Sequence, residues 1–153
     1  METEKRLAEL GVELYPDIKP IGSYLPFTRC GNVIHISGQG PSIRGEYVKY
    51  IGKVGENVTK EEAKEAAAVT AANLISILKK AAGDLDRVKQ IVSVLGYVNS
   101  SPDFSEQPYV INGASDLLVK AFGEKGRHAR CAMSVNSLPL GICVEVELTA
   151  EIE

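Results

Sequence analysis

Hydrophobic side chains recur along this chain with two periods, about 3.6 residues and two residues, which mark helices and strands respectively. Leu7 and Leu10, followed by Gly11, predict a short helix over residues 4–10. Pro16, Pro20, Gly22 and Pro26 punctuate an extended lead-in. The β-branched run Val33, Ile34 and Ile36 predicts a strand, which Ser37-Gly38-Gln39-Gly40-Pro41 is expected to break into a loop.

The strongest local signal is a helix from Thr59 to Ala82. Thr59 and Glu62 stand at capping-box spacing, where each side chain satisfies an otherwise orphaned amide. Ala63, Ala66, Ala67, Thr70, Leu74, Ile77, Leu78 and Ala81 follow at helical spacing as one apolar stripe, and Gly83 ends it. The alanine-rich first half allows close approach to a sheet.

Val88 to Val98 is a strand apolar on both sides. Val88, Val92, Val94 and Val98 are expected on one face and Ile91, Leu95 and Tyr97 on the other, so both faces need cover. Pro108 suits the first turn of a second helix, whose stripe is Val110, Ile111, Ala114, Leu117, Leu118 and Ala121, with Gly123 as its stop. The last 25 residues alternate in two runs around Leu138-Pro139-Leu140-Gly141 and predict a hairpin. In that register Ser134 faces Glu145 and Arg130 faces Thr149, and Arg130, Ser134, Glu145 and Glu147 share one face.

These elements make an α+β domain: a mixed sheet of about six strands with two main helices packed on one face. Residues 1–18 read as a helix and lead-in ahead of a domain over 19–153. Two helices leave the second sheet face uncovered. Another copy of the chain is the economical cover, and closed symmetry is its usual form.

Composition narrows the class. A chain of 153 residues with 44% hydrophobic and 24% charged residues can bury a sizeable core without a staple. Its net charge of −3 lacks the basic surplus that phosphate binding draws on, although Lys125, Arg127 and Arg130 cluster locally. Nucleic acid is therefore an unlikely partner. Cys30, Cys131 and Cys143 are odd in number and match no zinc or redox spacing, which suits reduced thiols. The first ten residues are charged and no apolar run reaches the roughly 20 residues of a span, so a cytoplasmic protein is expected.

Pro20-Ile21-Gly22-Ser23-Tyr24, the Ser37-to-Pro41 loop, Asp103-Phe104, Asn112, Ala129-Arg130, Leu138-Pro139 and Val144-Glu145-Val146-Glu147 occur in an order that resembles the YjgF/RidA family. The similarity runs from about Lys19 to Glu153. The resemblance implies a chorismate-mutase-like fold and a homotrimer with clefts between subunits. Its best-defined members hydrolyse reactive imines and enamines to 2-oxo acids and ammonia. No metal or organic cofactor is implied.

By resemblance, Arg130 holds the substrate carboxylate, Glu145 is the catalytic residue acting on water, and Tyr24 and Gly38 line the cleft. Guanidinium is a planar fork suited to a carboxylate, and a carboxylate of raised pKa can carry a proton between water and a leaving amine. The chain departs from the family at Leu25-Pro26 after Tyr24, at Ala132, and at Ser115, where a tyrosine is usual.

Each residue also has a plainer role. A strand arginine is commonly a surface charge, alternating glutamates commonly a solvated face, and Tyr24 an interface ring. Gly38 suits a turn that other residues resist. His35 and His128 lack ligand spacing: His35 reads as a satisfied strand residue and His128 as a rim residue. Asn112 reads as a backbone partner across the interface. Three functions are compatible with these residues: an imine deaminase, a non-catalytic carboxylate-binding trimer, and an endoribonuclease or translation inhibitor.

Overall fold

The computed structural model covers residues 1–153. Its elements in chain order are α1 (Glu2–Glu9), β1 (Phe27–Cys30), β2 (Val33–Gln39), α2 (Lys60–Ala82), β3 (Val88–Asn99), α3 (Gln107–Phe122), β4 (Ala129–Val135) and β5 (Val144–Ile152). The fold is α+β. One mixed sheet of five strands, where about six were expected, has the order β1-β2-β5-β3-β4. Only β3 and β4 run parallel. No helix is long and apolar enough to cross a membrane.

The helices form where local chemistry directs them. Thr59 caps α2 and accepts from the Glu62 amide at 3.1 Å, while the Glu62 carboxylate accepts from the Thr59 amide. The small half of α2 also comes up against α3. A Cβ on Gly113 would lie 2.0 Å from the Lys64 carbonyl oxygen, so α3 crosses α2 at backbone contact distance. Behind that crossing, Ile111 of α3 covers Gly96 of β3. Leu74, Leu78, Ile111 and Leu118 bury fully against Ile36, Val94 and Leu148 of the sheet. Leu7 of α1 joins the same core, and the Asp86 carboxylate accepts from the Glu2 and Thr3 amides at that helix's start.

The predicted C-terminal hairpin does not form. β3 lies between β4 and β5, parallel to the first and antiparallel to the second. Alternation specifies which face a side chain takes but not which strand lies beside it. The twelve-residue β3, apolar on both sides, takes the position next to the centre, and the 136–143 connection steps across its end. That step is tied down by Asn99, whose amide donates to Cys143 O at 2.9 Å and whose side chain donates to Ile142 O at 3.1 Å.

Two further expectations change. Register shifts near Gln90 and Val92 turn Ile91 inward with Val94 and Val98, and leave Val92 exposed. Ser37, Gly38 and Gln39 remain in β2, with a register shift between Ile36 and Gln39 in place of the expected loop.

Candidate active site

The pairing of β3 with its neighbours distributes the predicted site residues. Arg130 is the Cα partner of Val94, which partners Leu148, so Arg130 lies on the helix-covered face at the β4 edge. Glu145 partners Tyr97, which partners Met133, and Glu147 partners Leu95, which partners Cys131. These carboxylates therefore lie on the open face. The expected single face holding Arg130, Ser134, Glu145 and Glu147 splits in two, because β3 separates the strands that were expected to pair. Ser134 stays with Arg130 on the helix side, accepting from Gln107 Nε2 at 2.8 Å.

On the open face, Glu145 is half-buried beside Gly38. A Cβ on Gly38 would lie 3.1 Å from both Cδ and Oε2 of Glu145. Gly38 does not have a left-handed backbone, so it is no turn glycine; the strand needs glycine there for the close approach of a side chain. Burial raises the pKa of Glu145 and the charge of Glu147 raises it further.

Tyr24 is 45% exposed, and its hydroxyl accepts from the Ile21 amide at 3.3 Å. It stands near a residue the pattern analysis missed, Tyr47. Burial raises the Tyr47 pKa, with smaller contributions from Tyr24 and Glu145 in the same direction. Tyr47 packs its ring on Gly40, where a Cβ would come within 2.9 Å of Cε1. Tyr47 belongs to an irregular stretch without periodicity, so no sequence signal marked it. Asn73 of α2 pins the same loop, donating to Gly40 O at 3.0 Å and Ser42 O at 2.9 Å.

At the β4 edge, Arg130 is held by neutral acceptors. Nη1 donates to Asn112 Oδ1 at 2.7 Å and to Ser115 Oγ at 3.1 Å, and Nη2 donates to Pro108 O at 3.4 Å. None of the chain's salt bridges involves it. Of the five guanidinium donors, Nε–H and one on Nη2 have no partner within the chain, which leaves an edge of the fork free. Asn112 accepts from Arg130 within its own subunit, because α3 lies directly over the β4 edge. Cys131, next along the strand, points to the opposite face.

His35 is satisfied on the open face by Thr149 Oγ1 at 2.9 Å. No group of three His, Cys, Asp or Glu side chains converges to hold a metal ion. A cavity of about 810 Å³ lies between α2, α3 and the lead-in, and touches neither Arg130 nor Glu145.

A YjgF/chorismate mutase-like endoribonuclease family model matches residues 4–152. The chain belongs to this family. Protein TCP17 of Trypanosoma cruzi is 43% identical to it over 149 residues, covering 95% of this chain and 91% of its own. The crystal structure of Atu1372 from Agrobacterium tumefaciens superposes with a TM-score of 0.90 at 40% identity, over 99% of this chain and 92% of that one. A Shewanella oneidensis MR-1 protein, described as an endoribonuclease candidate, gives 0.94 at 36% identity, over 99% and 100% of the two chains. YjgF membership accounts for the chorismate-mutase-like arrangement of helices and sheet.

Proposed function

We propose that this YjgF-family protein is a RidA-type deaminase, hydrolysing 2-imino and enamine acids to 2-oxo acids and ammonia in clefts between the subunits of a homotrimer. The observation that carries this function is Arg130, a half-buried guanidinium held only by neutral acceptors, with a donor edge left for a carboxylate. Glu145 supplies the second requirement, a carboxylate poised by burial and by Glu147 to hold a proton more readily than usual.

The chemistry balances without an external reagent. Arg130 holds the substrate carboxylate beside the imine carbon. Glu145 takes a proton from water as its oxygen bonds to that carbon, giving a carbinolamine. That proton completes the amine of the carbinolamine. Glu145 then relays the hydroxyl proton to the same nitrogen as C=O forms and the C–N bond breaks, releasing ammonia and the 2-oxo acid. Enamine substrates first tautomerise to the imine.

Arg130 and Glu145 lie on opposite faces of one sheet, which supports a cleft that draws each from a different subunit. The open face carries Val33, Val92 and Met133, each at least 40% exposed, and another copy of the chain would cover it. Free thiols at Cys30, Cys131 and Cys143 suit a cytoplasmic setting.

A carboxylate-binding trimer without turnover is the second reading. It is favoured by the completeness of the Arg130 end within a single chain, whereas the Glu145 end lacks a cationic partner. Ribonuclease action is the weaker alternative. His35 and His128 are engaged at separate places and do not pair as acid and base.

The test is imine decay followed by stopped-flow or in a coupled dehydratase assay, comparing wild type with Arg130→Ala. Faster decay that is lost in a variant of unchanged oligomeric state supports the deaminase. No acceleration at high protein concentration, with carboxylate binding intact, favours the binding trimer.

A further inference from the structure

We infer that His128 is a positioning residue for Arg130, acting through the hydroxyl of Ser115; the inference rests on Arg130 as the carboxylate anchor. His128 Nδ1 lies 2.7 Å from Gly126 O, His128 Nε2 lies 2.8 Å from Ser115 Oγ, and Arg130 Nη1 lies 3.1 Å from the same oxygen.

In the neutral imidazole the two ends of this chain determine its protons. The Gly126 carbonyl can only accept, so Nδ1 then carries the hydrogen and Nε2 keeps a lone pair. Guanidinium can only donate, so Ser115 Oγ must accept from Arg130. The single hydrogen of Ser115 is then directed at His128 Nε2, and its lone pairs face the guanidinium.

Without His128, a helical serine has a competing partner. Serine and threonine inside a helix commonly turn the hydroxyl back to the carbonyl four residues earlier. Thr70 and Ser76 of α2 do this, bonding Ala66 O and Ala72 O at 2.8 Å. Ser115 makes no such bond, and its hydroxyl leaves the helix for the imidazole. His128 therefore sets the rotamer through which Ser115 holds Arg130.

The imidazole is itself held firmly. Gly126 is buried against α3, where a Cβ would lie 2.3 Å from Leu118 O, so glycine is what lets the turn before β4 pack this closely on the helix. Gln90 of β3 also donates to the Arg127 carbonyl in that turn. His128, in the turn just before β4, and Arg130, on the strand, both reach the Ser115 hydroxyl of α3.

The experiment uses the full-length oligomer and two readouts, imine hydrolysis kinetics and equilibrium binding of pyruvate as a simple 2-oxo acid. His128→Ala is expected to raise KM and the pyruvate Kd about tenfold with kcat within about threefold, the signature of lost uniform binding. His128→Gln, whose Oε1 can accept from Ser115, is expected to restore most of that loss. Ser115→Ala should match His128→Ala, and the double variant should be no worse than either, as for one linked unit.

Equal losses in His128→Ala and His128→Gln, or an unchanged KM and Kd in a folded His128→Ala, would overturn the inference. Wild-type turnover that is absent while pyruvate binding still depends on Arg130 would overturn the deaminase instead, and the Kd series would then decide on His128. Pyruvate binding indifferent to Arg130→Ala would overturn both.

Discussion

Gly38 and Glu145 meet across β2 and β5 with no room for a methyl group: a Cβ on Gly38 would stand 3.1 Å from the Glu145 carboxyl carbon and from Oε2. The glycine therefore shapes the seat of the carboxylate. It leaves the carboxyl in a half-buried position where desolvation acts on it.

Gly38→Ala tests that seat. The backbone at this position suits any residue, so the fold should persist with a Tm within about 3 °C of wild type. The carboxylate must shift by a few tenths of an ångström, and kcat is expected to fall about tenfold while pyruvate Kd stays unchanged. Equal loss in Kd and kcat would show that Gly38 acts on substrate binding instead.

The raised pKa of Glu145 makes opposite predictions for activity and stability. As a base Glu145 must be ionised, so kcat should decline on acidification at a pH above the ordinary glutamate range, and Glu147→Gln should move that decline lower. For stability, a carboxyl whose folded pKa is raised favours folding fully only below the unfolded value of about 4.3, and loses that contribution as pH rises through the folded value. Glu145→Gln should therefore raise Tm by about 1–2 °C at pH 7, with the gain vanishing near pH 4. Thermal melts at both pH values check the sign.

Arg130 and Glu145 occupy opposite faces, and this predicts complementation. Arg130→Ala and Glu145→Gln should each be nearly inactive alone. Unfolded together and refolded at equal concentration, they should recover up to about a quarter of wild-type activity, because that share of clefts draws both native residues from different copies. No recovery in verified mixed oligomers would place both residues of a working site in one subunit.

Gly113 allows α3 to cross α2 in contact with the Lys64 carbonyl. A Cβ there would lie 2.0 Å from that oxygen, a clash with backbone that no side-chain rotation relieves. Gly113→Ala should cost about 2–3 kcal/mol and lower Tm by roughly 6–10 °C, as chemical denaturation and calorimetry would measure.

Several features of the fold were legible residue by residue. The capping box at Thr59, the stripe of α2, the start of α3 at Pro108 and the single-strand identity of β3 all depend on neighbours a few positions apart. Family resemblance, rather than periodicity, singled out Arg130, Glu145, Gly38 and Tyr24 as candidates. Tyr47 and the Ser115–His128 link left no periodic trace, because each depends on a contact between segments distant in sequence.

Local order was thus determined by the chain alone, since helix caps, turn residues and alternation act over a few covalent bonds. Strand neighbourhood was decided only by tertiary structure. The alternation of β4 and β5 is compatible with a hairpin and with separation by β3; burying the two-sided apolar β3 between them favours the second. That choice, made by long-range packing, puts Arg130 under α3 and leaves Glu145 on the open face.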